Sequence, residues 1–166
     1  MMSKTAIHAV KAIVALAELS EKGFQGTASI AERIGAPQNY LGKLLQTLAR
    51  AGVVQSQKGL GGGFQLAKRP EQIRLFDIVD PIDHLSRWTG CLLGGALCSN
   101  DAPCAMHEGW AKTRDAYLGM LETSTVADLL SRNRLLPVGG GRFFVEKIDN
   151  HMPVNYARRK GKNNVL

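Results

Sequence analysis

The period of the apolar positions changes along the chain, and each change marks a new element. Over residues 3–20 apolar side chains recur at helical spacing, with Ile7, Val10, Val14 and Ala17 on one face, which predicts a first helix ending before Lys22-Gly23. Thr27 stands as the N-cap of a short second helix through Ile30, Ala31 and Ile34, closed by Gly35 in the left-handed position. Pro37 suits the first turn of a third helix running to about Ala51, with Leu41, Leu44, Leu45 and Leu48 inward and Gln38, Asn39, Lys43, Gln46 and Arg50 outward. Two helices joined by a tight glycine turn are a helix-turn-helix. The pattern then becomes extended: residues 53–57 and 64–66 read as two strands, linked by Lys58-Gly59-Leu60-Gly61-Gly62-Gly63. Directly after a helix-turn-helix, such a hairpin reads as a wing. Its glycines do not form a nucleotide loop, because here a strand follows them and not a helix.

Leu75, Phe76, Ile78, Val79 and Ile82 predict a short joining helix. Further on, Pro103 suits the first turn of a long helix reaching about Glu122, with Asn100 or Asp101 as its cap. Met106, Trp110, Tyr117 and Leu121 recur on one face of that helix, a spacing that fits a seam between helices. Thr125-Val126-Ala127-Asp128 has the form of a capping box opening a last short helix. From Arg134 onward no sustained period remains, and Pro137, the glycines 139–141 and the basic run Arg158-Arg159-Lys160-Gly161-Lys162 suit either a disordered tail or a basic arm. The expected fold is therefore mainly α with a small β wing: a winged helix-turn-helix plus a long stem helix. Its parts are residues 1–83 (winged helix with joining helix), 84–105 (a cysteine-bearing loop), 106–133 (stem and closing helices) and 134–166 (the basic tail).

Charge sharpens this picture. The net charge of +7 is distributed as +6 over residues 1–70, −4 over 71–133 and +5 over 134–166. A basic helix-turn-helix half joined to an acidic middle points to a polyanion-binding module coupled to a second module. The apolar run 12–17 that follows Lys4 and Lys11 is closed by Glu18 and is too short for a signal peptide, and no stretch approaches the ~18 apolar residues of a membrane span. A cytoplasmic protein with no membrane partner is expected.

The chemistry is concentrated in one place. Cys91, Cys98 and Cys104 are the chain's three cysteines, and His107 follows within the same short stretch, where Gly90, Gly94 and Gly95 make the backbone pliable. An odd cysteine count in a reducing compartment argues for metal or thiol chemistry and not for a disulfide framework. Thiolates and imidazole suit either zinc or an iron-sulfur centre, and three cysteines without metal would suit a thiol sensor. A helix N-terminus at Cys104 would favour its thiolate, and His107 three residues on would share its face. No flavin or nucleotide motif and no paired catalytic carboxylates occur, so an electron carrier or enzyme is disfavoured and no small-molecule substrate is expected. His84 and His151 have no such company.

The residues Ser3-Lys4, Ala9-Val10-Lys11-Ala12, Ile30-Ala31-Glu32-Arg33-Ile34-Gly35, Tyr40-Leu41 and the wing from Lys58 to Leu66 resemble the Rrf-type family of bacterial winged-helix transcription regulators, over about residues 2–133. The resemblance implies a homodimer that binds a double-stranded DNA operator under the control of an iron-sulfur cluster. It implies cluster ligation by Cys91, Cys98 and Cys104, with His107 as fourth ligand in a Cys-x-x-His-x-x-Trp run. DNA contacts are then expected from Gln38, Asn39, Tyr40, Lys43, Lys58, Gly59, Gly61 and Gly62, and a dimer seam from Met106, Trp110, Tyr117 and Leu121. The chain departs from the family pattern in its six-residue gap between Cys91 and Cys98, in Ile7 where an acidic ligand would stand, in His8 where tyrosine is usual, and in Lys58 where arginine is usual. Without the acidic ligand, a 2Fe-2S cluster is favoured over 4Fe-4S. A zinc-dependent or cluster-free thiol regulator on the same fold is the alternative.

Overall fold

The computed structural model describes residues 2–88, 90–93 and 98–131, with the side chain of Lys22 left out. The basic tail and the glycines 94 and 95 lie outside the described residues. Helix α1 (Lys4–Glu18) opens on Ser3, whose hydroxyl accepts from the Ala6 amide at 3.1 Å, an N-cap that satisfies one of the orphan donors of the first turn. Then come α2 (Thr27–Ile34), α3 (Gln38–Arg50), strands β1 (Val54–Gln57) and β2 (Gly63–Leu66), α4 (Leu75–Asp83), α5 (His107–Thr123) and α6 (Val126–Ser131). Short 3-10 turns sit at Ser20–Lys22, Pro70–Gln72 and Leu85–Arg87.

The first helix has no single apolar face. Every residue from Ala12 to Ala17 is buried, as are Ala6, Ala9 and Val10, whereas Ile7, expected inward, is 40% exposed. The reason is alanine: without side-chain bulk, α1 can be surrounded, and α2, α3, α4, α6 and β2 all pack on it. Two other local expectations shift by a residue. Gly26 and Pro37, in extended conformation, hold the N-cap positions of α2 and α3, so Thr27 begins its helix instead of capping it. The inward leucines Leu41, Leu44, Leu45 and Leu48 are buried as expected.

The wing strands pair antiparallel with Val54 opposite Leu66 and Gln57 opposite Gly63. A third segment completes the sheet: Gln25 exchanges both main-chain hydrogen bonds with Phe64, at 2.8 and 2.9 Å. This close approach requires glycine at position 63, where a Cβ would stand 2.2 Å from the Gln25 carbonyl oxygen. Helix α4 packs on α1, α3 and α5 together. The segment between α5 and α6 returns to the head through an isolated bridge in which the Leu75 amide donates to Ser124 and the Val126 amide to Ile73, both at 2.9 Å. The Thr125–Asp128 capping box forms as the sequence predicts, with the Thr125 amide donating to Asp128 at 2.7 Å and the Asp128 amide to the Thr125 hydroxyl at 3.3 Å.

Helix α4 starts on a similar device. Asp77 accepts from the Arg74 guanidinium at 2.7 and 3.1 Å and from the Arg74 amide at 3.1 Å, and these hydrogen bonds to Arg74 hold its carboxyl below the usual carboxylate range against the opposing effect of burial. A carboxylate with a lowered folded-state pKa stabilises the fold above its unfolded pKa, about 3.9, and that contribution fades as the pH falls from there toward the lower folded value. Asp77→Asn should therefore destabilise the protein at neutral pH and converge with wild type in acid. Urea unfolding at several pH values checks this; a difference that is constant down to pH 3 would show that the charge of Asp77 contributes nothing.

Candidate functional site

Two surfaces carry the chemistry. The first is the outward side of α3. Gln38, Asn39, Lys43, Gln46 and Arg50 are exposed, and with Thr27, Gly42 and Thr47 they line an open trough. Among the described residues, ion pairs engage Arg33 with Glu18, Arg74 with Asp77, Lys112 with Glu108 and Arg114 with Asp115. Lys43, Arg50 and Lys58 take part in none of these, so among the described residues their charge is not spent on a carboxylate. Tyr40 departs from the expectation of an outward residue. It is half-buried against the core, its ring edge-on to His8 at 5.6 Å, with its hydroxyl 3.4 Å from His8 Nδ1. Tyr40 thus links α3 to α1 in place of lying in the trough.

Beside α3 the wing loop turns tightly, with the Gly62 amide donating to the Gly59 carbonyl at 3.0 Å. Lys58, Gly59 and Gly61 are exposed. Gly62 has an internal reason to be glycine, since a Cβ there would lie 2.3 Å from the Gln57 carbonyl oxygen. Its role as a contact for another molecule is secondary to that packing.

The second surface is the cysteine centre between the end of α4 and the start of α5. It gathers all four expected residues, as two pairs. Cys91 Sγ lies 3.5 Å from Cys104 Sγ, and Cys98 Sγ lies 3.2 Å from His107 Nδ1. None of the three cysteines is in a disulfide. The imidazole is oriented from its far side by Asn100, whose Oδ1 accepts from Nε2 at 2.7 Å, leaving the Nδ1 lone pair toward Cys98. Among the described residues no three His, Cys, Asp or Glu side chains converge closely enough to hold a single metal ion.

The stem helix starts later than its sequence suggests. Its first residue is His107 and its N-cap is Met106, which makes no side-chain cap. Pro103 and Cys104 therefore precede the helix, the backbone turns at Ala105 and Met106, and the Cys104 carbonyl accepts from the His107 amide at 3.0 Å. Asn100 and Asp101 do not cap α5: Asn100 holds His107, and the Asp101 amide donates to Ser99 Oγ at 3.1 Å. Cys104 and His107 thus belong to different pairs and do not project from one helical face.

The expected seam along α5 is turned inward. Leu121 is 0% exposed and lies in the core of its own chain. Trp88 stacks on Tyr117 with ring centroids 5.6 Å apart and meets Trp110 at 6.1 Å, while Trp110 Nε1 donates to the Gly90 carbonyl at 3.2 Å. Met106 is 46% exposed, and Trp110 and Tyr117 are half-buried. Burial, and secondarily the charge of Asp83, push the Tyr117 phenol above its ordinary range, and its hydroxyl has no hydrogen-bond partner among the described residues. Sequence reasoning missed Trp88 and gave Asn100 a different role, as a cap of α5. The signals available were a tryptophan three residues before the first cysteine and a side-chain amide inside the cysteine segment. His84, to which the sequence assigned nothing, terminates α4 in the left-handed conformation at φ 53°.

Residues 2–132 match the family model Rrf2, described as an iron-dependent transcriptional regulator. The chain belongs to the Rrf2 family. It is 32% identical over 142 residues to a putative HTH-type transcriptional regulator of Aquifex aeolicus, covering 83% of this chain and 98% of that one. It is 32% identical over 133 residues to the HTH-type transcriptional regulator IscR of Escherichia coli, covering 80% and 82%. Among solved structures it resembles T. potens IscR, with TM-score 0.64, 29% identity and coverage of 80% and 88%. It also resembles CymR, the global cysteine regulator of B. subtilis, with TM-score 0.67, 26% identity and coverage of 80% and 97%. This Rrf2 chain is thus a DNA-binding, winged-helix transcription regulator and not an enzyme. No described helix is long and apolar enough to cross a membrane.

Proposed function

We propose that this Rrf2 regulator acts in the cytoplasm as a homodimer whose affinity for a DNA operator is controlled by an iron-sulfur cluster held by Cys91, Cys98, Cys104 and His107. The observation that carries this reading is the arrangement of the donors as two pairs, Cys91 with Cys104 and Cys98 with His107. A mononuclear zinc site, with bonds of about 2.0–2.3 Å, draws four donors around one point. Two donor pairs suit a two-iron centre, each pair serving one metal, which favours 2Fe-2S over 4Fe-4S. When bound, such a cluster supplies a redox-active inorganic core whose potential depends on ligand charge and hydrogen bonding. In this chain, Asn100 fixes the imidazole so that Nδ1 is the ligating nitrogen, the kind of outer-shell support that metal-bound histidines carry.

DNA recognition falls to Gln38, Asn39 and Lys43 on α3, with Lys58 and the backbone at Gly59 and Gly61 in the wing; Tyr40 supports the helix from behind. Side-chain amides pair with adenine edges in the major groove, while lysines meet phosphates or guanine. The dimer seam is placed on the outer side of α5. Gly109, Thr113, Ala116, Met120 and Thr123 are exposed there at alternating spacings of four and three, the pattern of a helix pair. Thr113 and Thr123 donate their hydroxyls to their own helix, to the Gly109 and Gly119 carbonyls at 2.8 Å, so neither hydroxyl needs a partner across the seam, where Met120 supplies the bulk.

Coupling follows from connectivity. The cysteine segment joins α4, which packs on α3, to α5, which carries the seam. Ordering that segment sets the angle between stem and heads, and two recognition helices must stand about 34 Å apart to enter successive major grooves. A thiol switch without a cluster is the second reading, favoured by the 3.5 Å approach of Cys91 to Cys104.

The primary test is to titrate an operator selected from random DNA with anaerobically purified, iron- and sulfide-loaded dimer and with stripped dimer at one salt concentration. A 5- to 150-fold difference is expected, about 1–3 kcal/mol of coupling. Equal affinities would overturn the sensor role, and absence of iron and sulfide would transfer the function to the thiol pair. Asn39→Ala should cost about 1–3 kcal/mol on that operator and little on random DNA. Equal loss on both would mean that Asn39 positions the helix without reading a base. Ala116→Glu should yield a folded monomer in sedimentation; a persistent dimer would place the seam elsewhere.

A further inference from the structure

The wing carries one side chain that neither the core nor the expected phosphate contacts explain. Leu60 is 108% exposed at the apex of the wing loop, while the other exposed large apolar residues among those described range from 40% to 67%. A lone exposed leucine is ordinary on a protein surface. Its mounting is what distinguishes this one. Gly59 and Gly61 on either side have φ of 92° and 76°, a conformation that side-chain-bearing residues avoid, and the Gly62 to Gly59 hydrogen bond closes the turn beneath. Gly62 is pressed on the Gln57 carbonyl and Gly63 on Gln25, so the loop stands on a paired base. The result is a finger one side chain wide, bare on both flanks and apolar at its end.

We propose that Leu60 is a wedge that enters the minor groove of the operator beside the segment read by α3 and leans into a base step. The B-DNA minor groove is about 6 Å wide, which admits a single leucine flanked by glycines but not a bulky loop. Minor-groove proteins insert leucine and similar side chains between base pairs, partly unstacking them, at steps such as TA or CA that deform readily. The surrounding charge suits this partner: residues 53–67 contain no Asp or Glu, and Lys58 stands at the base of the finger. The wedge therefore adds indirect readout, a preference for a flexible step at a position where no hydrogen bond is made. It depends only on DNA binding by the winged helix and is independent of the cluster.

The test uses full-length dimer and an operator selected with the wild-type protein, with 2-aminopurine placed in turn at each step under the wing. Wild type should raise the fluorescence at one step, reporting unstacking, and Leu60→Ala should abolish that rise while weakening binding roughly 5- to 50-fold, in line with loss of a buried leucine side chain. Leu60→Met should retain both. The salt dependence of Leu60→Ala should match wild type, because no phosphate contact is lost, whereas Lys58→Ala should reduce the slope by about 0.9. Thermal unfolding of Leu60→Ala should be unchanged. Undiminished affinity, an unaltered fluorescence rise or a reduced salt slope in Leu60→Ala would each overturn the wedge. Running the series on loaded and stripped protein separates the two ideas, since failure of cluster control would leave the ratio of wild type to Leu60→Ala intact.

Discussion

Helix α4 is nine residues long and packs at once against α1, α3 and α5. Its Ile78 and Val79 are fully buried, so none of these contacts can slide without opening space in a close-packed interior. The rest of the arrangement depends on this shared packing. Helices α3 and α5 both pack on this one short element, and the cysteine segment follows it after the turn at Leu85–Arg87.

The same economy appears where the chain returns. Two main-chain hydrogen bonds, from Leu75 to Ser124 and from Val126 to Ile73, tie the far end of α5 to the start of α4, and Leu121 and Val126 join the core of the winged head. At its near end α5 is tied through Trp110 to Gly90 and through Tyr117 to Trp88. The stem is thus anchored at both ends, and the cysteine pairs lie beside the near anchor. Gly90, whose carbonyl accepts from Trp110, is the covalent neighbour of Cys91, so the near anchor and the cysteine pairs share one stretch of backbone.

On the DNA side, rigidity and exposure are divided between residues. Leucines at 41, 44, 45 and 48 lock α3 to the core, Tyr40 braces it against α1, and the amides and cations of its outer side remain at the surface. In the wing, Gly62 and Gly63 serve the fold, whereas Gly59 and Gly61 shape the turn that lifts Leu60 outward. A run of similar glycines thus does two different jobs.

What could be read in the sequence was local. The helix-turn-helix, the two wing strands and the Thr125–Asp128 box follow from spacings within a few residues, because helical period, turn chemistry and capping are set by near neighbours. The kinship and the four residues of the cysteine centre were legible for the same reason, as short motifs in one stretch. Tertiary structure alone decided which side of α5 faces inward: Met106, Trp110, Tyr117 and Leu121 form a stripe with the same period whether they meet their own chain or another. The burial of Leu121 in the core and the stacking of Trp88 on Tyr117 settle it. Likewise the pairing of Cys91 with Cys104 and of Cys98 with His107, the role of Asn100, and the addition of Gln25 to the wing sheet depend on contacts between segments, about which spacing along the chain carries no information.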